Sequence, residues 1–393
     1  MHKSTNWIRL MTIGSFFAFF VFGFTDNMKG ATLPAVLDDI GMSYAEGGSA
    51  LFGAYVGFLI ATLFTGMLAD RAGKKIVLLI AGVCLAVGIT GYSTLRFFLG
   101  LFGSMFVLGL GLGAIEIGCN ALMVDLHADQ KGRYLNMMSV FHGLGSTLAP
   151  LYAGAILTAG IAWQRVYQGS LITVFLMLLF FLLAPYIHTR AAGVGTTSFK
   201  DLRKAAFSGQ MGWYYLLIAL YVAAEIGIAS WIVEFLQTSK GQTVSLSTQS
   251  LSLFFAMVML GRFLGSFFVE RVGYLRVMLM AALGSILSVT LGLFGPPALA
   301  LALPFTGLFF SIIFPTITAA VSDLHQENTG SILGLLFTFA GVGGMLGPWL
   351  IGLFGAWLGI DAGFALVLVY CVLMSMVLAV LLHLSPRVVA ARG

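Results

Sequence analysis

The sequence predicts an all-α membrane protein of twelve transmembrane helices arranged as two six-helix bundles, and three observations carry that expectation. Hydrophobic residues make up 59% of the chain and charged residues only 9%, against roughly 45–50% and about 25% in soluble domains. Nearly everything apolar must therefore face lipid or another helix. Segments long enough to cross about 30 Å of hydrocarbon, roughly 20 residues as helix, can be placed twelve times. Features of the first half also return in the second: Asp125-Leu126-His127 as Asp323-Leu324-His325, and Gly143-Leu144-Gly145 through Pro150 as Gly341-Val342-Gly343 through Pro348, both at an offset of 198. Near-constant spacing of this kind marks an internal repeat.

Taken in order, the first span falls near 8–33 and carries Asp26 and Lys29. Its length, those charges and the lack of a small-residue cleavage site argue against a cleaved signal peptide. The second, near 46–69, runs into Gly66-Met67-Leu68-Ala69-Asp70-Arg71-Ala72-Gly73-Lys74-Lys75, which precedes the third, near 76–94. The fourth, near 98–124, holds Gly109, Gly111 and Gly113 and then Glu116 and Asn120; the fifth, near 134–158, holds Asn136 and His142; the sixth lies near 166–187. His188 to Gln210 is the longest polar interruption, with a Gly/Thr/Ser-rich stretch followed by Lys200, Arg203 and Lys204. It reads as a linker with a short helix on the membrane surface. The second half repeats the pattern near 212–237, 249–269, 276–295, 298–322, 330–356 and 362–384, with Glu225 and Trp231 in the seventh span and Arg262 in the eighth. The expected division is 1–190 for the N-terminal bundle, 191–210 for a cytoplasmic linker and 211–393 for the C-terminal bundle.

Lys and Arg concentrate in cytoplasmic loops, and here that rule puts both termini inside, in the cell's inner (plasma) membrane. Lys3, Arg9, Arg71, Lys74, Lys75, Lys131, Arg133, Arg190, Lys200, Arg203, Lys204, Arg271, Arg276, Arg387 and Arg392 are then cytoplasmic, and Arg96, Arg165 and Lys240 lie outside. The net charge of +5 reports topology, so no nucleic-acid partner is expected and the bilayer is the large partner of a monomer. Cys84, Cys119 and Cys371 fall singly inside spans, without paired spacing, as small buried hydrophobes. The sequence has no Walker phosphate loop, no His-Glu-x-x-His and no Gly-x-Ser-x-Gly. With no nucleophile–base pair or metal cluster to assemble and no cofactor expected, the chain reads as a secondary transporter and not an enzyme.

The decapeptide is a conformational latch as well as a charged turn. Gly66 permits close helix packing, Asp70 ends the span, Gly73 allows a tight turn, and Arg71, Lys74 and Lys75 sit at the headgroup level. A carboxylate there can pair with a cation or cap a neighbouring helix in one state and lose that partner in another. The fainter copy Glu270-Arg271-Val272-Gly273 occupies the equivalent loop, and Arg262, about two turns from Glu270, is expected to tie to it at the cytoplasmic gate. These residues resemble the loop signature of the major facilitator superfamily, Gly-x-Leu-Ala-Asp-Arg-x-Gly-Arg/Lys-Arg/Lys, met here at every fixed position. The resemblance covers nearly the whole chain, implies the fold, and is nearly silent on substrate.

Substrate information lies in the intramembrane polar groups. A charged side chain at the bilayer centre costs about 2.5–3.5 kcal/mol on insertion scales, so Asp26, Lys29, Glu116 and Glu225 together would cost roughly 10–14 kcal/mol if exposed to lipid. They are expected to face a shared watery cavity or each other. Asp26 and Lys29 share one face of the first span, Glu116 and Asn120 one face of the fourth, and Glu225 nearly repeats Asp26 at an offset of 199. A carboxylate with little water around it can take up a proton on one side and release it on the other, which makes Asp26 and Glu116 the candidates for proton coupling, with sodium the alternative cation.

Thr25-Asp26-Asn27 followed by Leu33-Pro34, Ile115-Glu116-Ile117-Gly118-Cys119-Asn120, and Leu135-Asn136 with His142-Gly143-Leu144-Gly145 and Ala149-Pro150 resemble the fucose:proton symporter family within that superfamily. The resemblance implies that Asp26 carries the proton and that Glu116 is a substrate-linked acid; Lys29 departs from the pattern. Sugar recognition asks for amides, acids and an aromatic face, and the candidate solute contacts are Asn27, Lys29, Glu116, Asn120, Asn136, His142, Glu225 and Trp231. Gly66, Asp70, Arg71, Gly73, Lys74, Arg262, Glu270 and Arg271 form the candidate gate and latch. The function expected is proton-coupled symport of a small polyhydroxylated, monosaccharide-like solute by alternating access. The alternative is a proton-coupled efflux antiporter of amphipathic compounds, suggested by 34 Phe and 18 Met that could line a permissive pocket.

Overall fold

The computed structural model describes residues 2–184, 209–265, 267–324 and 329–384. The expected surface helix of the linker, Arg190, Lys200, Arg203, Lys204, Arg387, Arg392 and His325 lie outside the described residues. Twelve helices are long and apolar enough to span a membrane, and no strand occurs among the described residues. The first bundle comprises α1 His2–Ile40, α2 Tyr44–Ala72, α3 Lys74–Thr94, α4 Phe98–Leu126, α5 Lys131–Thr158 and α6 Trp163–Leu183. The second comprises α7 Met211–Thr238, α8 Val244–Gly265, α9 Tyr274–Phe294, the tenth span Pro297–Leu324, α11 Thr329–Leu358 and α12 Ile360–Leu384.

Three elements depart from the sequence expectation. α1 continues straight through Pro34 to Ile40. A mid-helix proline removes one hydrogen bond, but Leu33, Val36 and Leu37 are buried on both sides of it, and that packing holds the turn together. α8 starts five residues earlier than hydropathy suggests, because its Ser/Thr-rich first turns satisfy themselves: Thr243 Oγ1 accepts from the Leu246 amide at 3.3 Å, and Ser247 Oγ donates to Thr243 O at 2.9 Å. The tenth span is broken into a 3₁₀ segment Pro297–Phe305, a turn Thr306–Phe310 and α10 Ile313–Leu324, with Pro304 inside the first piece.

The two short loops that carry the latch sequences have the same backbone. Gly73 and Gly273 both sit at φ 91°, with ψ 148° and 141°, a conformation that side chains other than glycine rarely adopt. Each is followed by the first residue of the next span, and each of these reaches an aspartate that ends the span after: Lys74 pairs with Asp125, and Tyr274 reaches Asp323. The repeat thus extends to side-chain contacts, with a cation in one half replaced by a phenol in the other.

Twelve crossings bring both ends of the described chain to one end of the molecule, here termed basal; the opposite end is distal. The halves meet toward the distal end and at mid-depth. A Cβ on Gly30 of α1 would lie 1.9 Å from the Ala229 carbonyl of α7, and one on Gly48 of α2 would lie 3.2 Å from Gly352 Cα of α11. Tyr44 Oη donates to Glu234 Oε1 at 2.9 Å, Thr238 Oγ1 donates to the same oxygen at 2.7 Å, and Ser252 Oγ of α8 donates to Thr147 O of α5 at 2.6 Å. Toward the basal end the picture reverses: a Cβ on Gly66, Gly132 or Gly334 would meet nothing within 4 Å. The close packing expected at Gly66 is therefore absent in this structure.

Candidate functional site

Several polar groups of the spans gather where the two halves meet at mid-depth. Asp26 and Lys29, one turn apart on α1, form an ion pair at 2.5 Å, and Lys29 is 6% exposed. The Lys29 ammonium also stands 5.1 Å from the ring centre of Tyr55 on α2, a distance at which a cation is attracted to the aromatic face. Tyr55 lies within electrostatic reach of both Asp26 and Glu225, so it bridges the two halves at the level of these acids. On the C-terminal half, Glu225 of α7 has Arg262 of α8 and Tyr221 of its own helix as neighbours. His142 on α5 stands between, in reach of Asp26 and Arg262, with its ring edge-on to Phe22 at 4.7 Å.

Glu116 and Asn120 lie at another depth. Asn120 Nδ2 donates to Glu116 Oε1 at 2.9 Å, and Cys119 beside them reaches Ser15 on α1. With a rise of 1.5 Å per residue, that contact puts Glu116 on the order of 12 Å nearer the basal end than Asp26. The polar groups thus lie at two depths: Asp26, Lys29, Tyr55 and Glu225 above, Glu116 and Asn120 below.

Four sequence expectations need correction. Trp231 is fully buried; its indole nitrogen donates to Pro348 O at 2.9 Å and its ring stands edge-on to Tyr44 at 5.8 Å, so it belongs to the distal closure and not to the solute contacts. Asn27 turns its amide away from Asp26, donating to Gly23 O and Ser146 Oγ at 2.9 Å each, which ties α1 to α5. Asn136 is exposed near the basal start of α5, six residues before His142 and off its face. Arg262 does not reach Glu270, because α8 ends at Gly265 and a new helical turn begins at Val269, which breaks the register that would have aligned them. Arg262 faces Glu225, Tyr221 and His142 instead.

In the latch loop, Asp70 and Arg71 are exposed and Lys74 is 7% exposed. Lys74 joins α3 to α4 through Asp125, with Asp70 in electrostatic reach. Lys75 donates to Leu182 O at 3.1 Å and to Ala184 O, closing the carbonyl end of α6. Glu270 and Arg271 are exposed beside the equivalent loop. The sequence reading missed Tyr55, Tyr221 and Glu234. The first two carry no charge to stand out in an apolar span, and Glu234, 6% exposed, sits near a helix end where an acid looks solvated.

A family model described as "Major Facilitator Superfamily" matches residues 15–267 and 205–392. A "Putative glucose/galactose transporter" of Helicobacter pylori (strain J99 / ATCC 700824) is 24% identical over 376 residues, covering 88% of this chain and 89% of that protein. Among solved structures, the D323A mutant of a nucleoside transporter, NupG, superposes with a TM-score of 0.80 at 14% identity over 95% of this chain and 99% of the other. The E. coli fucose:proton symporter superposes with a TM-score of 0.63 at 17% identity over 94% and 98%. These likenesses to structures concern the fold; the match of the family model across nearly the whole sequence shows that this chain belongs to the major facilitator superfamily.

Proposed function

We propose that the protein imports a small polyhydroxylated solute together with a proton, by alternating access across the inner membrane, with the basal end in the cytoplasm. The observation that carries this reading is the two-sided ring of Asp26, Lys29 and Tyr55 facing Glu225 and Arg262, set where a distally closed, basally open pair of halves meet. Acids and a cation that are costly to keep in a membrane sit where the halves meet at mid-depth, from which opposite openings of the two halves would reach either side. The glucose/galactose assignment of the relative points to solutes of the same class. Asp26 takes the coupling proton, Glu116 and Asn120 bind solute, and the 1–190 and 211–393 bundles rock about the site with 191–210 as their link. One charge crossing 100 mV contributes about 2.3 kcal/mol, enough for nearly fiftyfold accumulation.

The test uses purified protein in proteoliposomes, with D-glucose and D-galactose as labelled solutes. An imposed inward pH gradient should drive accumulation and its collapse by a protonophore should leave only equilibration. Uptake that follows a sodium gradient and ignores pH would overturn the proton assignment; lipophilic cations moving out in exchange for protons, with no sugar uptake, would overturn import.

A further inference from the structure

We infer that Tyr221, Glu225 and Arg262 form a subsite on the C-terminal half that takes a vicinal diol of the carried solute. This inference rests on the polyhydroxylated-solute reading and deepens it, because it says which three groups of the C-terminal half take part in selection.

Tyr221 is fully buried, with its ring edge-on to Phe310 at 5.8 Å and tilted on Phe314 at 6.2 Å. That packing fixes the ring, yet its hydroxyl makes no hydrogen bond of ordinary geometry, although Glu225 one turn along and Arg262 across on α8 are both within reach. A buried hydroxyl without a partner is costly, and such groups are rare enough in folded proteins to need a reason. Of its neighbours, Glu225 is half-buried and Arg262 exposed. The ion pairs among the described residues are Lys29–Asp26, Lys74–Asp125 and Arg96–Asp39, so Glu225 and Arg262 come close without closing a pair.

The three groups differ in what they ask of a ligand. A carboxylate only accepts, a guanidinium only donates, and a phenol does either. Two adjacent hydroxyls answer all three: one donates to Glu225, the oxygen of its neighbour accepts from Arg262, and Tyr221 takes the remaining position. A lone carboxylate on the solute fits worse, because Glu225 would repel it beside the guanidinium that attracts it. Asp26 and Lys29 on the opposite wall are already closed on each other at 2.5 Å, which leaves the C-terminal wall to read hydroxyls at this depth.

The experiment compares wild type with Tyr221→Phe and Arg262→Lys, measuring binding by thermal shift and calorimetry for D-glucose, D-galactose, L-fucose, uridine, each singly deoxygenated analogue of the tightest binder, and D-glucuronate. Wild type should lose about tenfold in affinity for two analogues that lack adjacent hydroxyls, the loss expected for one hydrogen bond to a charged partner. Tyr221→Phe should weaken the parent solute about tenfold but cost nothing further for one of those two analogues, while its melting temperature without solute stays the same or rises. Equal losses for every analogue, or a lowered melting temperature of the solute-free variant, would make Tyr221 structural and overturn the subsite while sugar binding by wild type stands. D-glucuronate binding more tightly than D-glucose, with that preference lost in Arg262→Lys, would replace the diol with a carboxylate. Should none of these solutes bind wild type, the solute class itself falls, and it does so before any variant is examined.

Discussion

Removing the Asp26 carboxylate does two things that have to be separated. It takes away the proposed proton carrier, and it leaves Lys29 buried without its partner, which in other proteins costs about 3–5 kcal/mol. Asp26→Asn alone should therefore lower the melting temperature as well as abolish accumulation. Asp26→Asn combined with Lys29→Met should recover stability, keep solute counterflow, and still fail to concentrate solute under a pH gradient. Accumulation by the double variant would move the proton to Glu116 or His142. Glu116→Gln is expected to act on binding, since its carboxylate already accepts from Asn120 at 2.9 Å and has a second oxygen for a ligand; a loss of about tenfold in affinity with coupling ratio unchanged is the expected outcome in paired binding and flux assays. The acids were legible because charge in an apolar span is conspicuous. Tyr55 and Tyr221 were not, since a tyrosine is ordinary in such a helix and only its neighbours in space give it a role. Arg262 was conspicuous but misplaced, because one break after Gly265 changed what it could face.

At the level of elements, spans and repeat could be read from hydropathy and spacing to within a few residues, and the misses fall where packing overrides local preference, as at Pro34. What sequence spacing does not encode is which helices of one half touch which of the other. α1 meets α7 so closely at Gly30 that a Cβ would stand 1.9 Å from the Ala229 carbonyl. Gly30→Ala should thus push the distal ends apart and raise labelling of a cysteine placed at Ser252, measured with a membrane-impermeant maleimide added from the distal side; labelling equal to that of the parent would mean the contact is not what keeps that side shut. The latch loop calls for the opposite readout. Asp70 is exposed, and Lys74 pairs with Asp125 with Asp70 in electrostatic reach; on the latch proposal its partner would belong to the other conformation. Asp70→Asn should slow turnover severalfold and leave solute affinity alone. Unchanged turnover would reduce Asp70 to a residue of the topological turn.

Across the whole molecule, transport on this scheme requires that the distal contacts open as the basal ones form, and the structure offers a place to hold the distal side shut without touching the site. A Cβ on Gly48 would stand 3.2 Å from Gly352 Cα, and one on Gly352 would stand 3.0 Å from Gly48 Cα and 2.5 Å from the Tyr44 carbonyl oxygen, so two cysteines are near enough to join at the usual Cβ separation of about 3.8 Å once α2 and α11 ease apart slightly. The three native cysteines are buried or half-buried inside spans and can be replaced beforehand. Gly48→Cys with Gly352→Cys should cross-link under mild oxidant, and the cross-linked protein should still bind solute presented from the basal side, since Asp26, Glu225 and Glu116 lie below the link. It should neither take up solute nor exchange it, because both need the distal side to open. Reductant should restore both activities to the level of the uncoupled variant. The binding measurement separates a locked protein from a damaged one: loss of binding together with transport would indicate distortion by the two side chains. Full exchange through a cross-linked population would show that Gly48 and Gly352 stay together throughout the cycle, and the hinge would then have to lie at the distal end, with the basal halves alone moving about it.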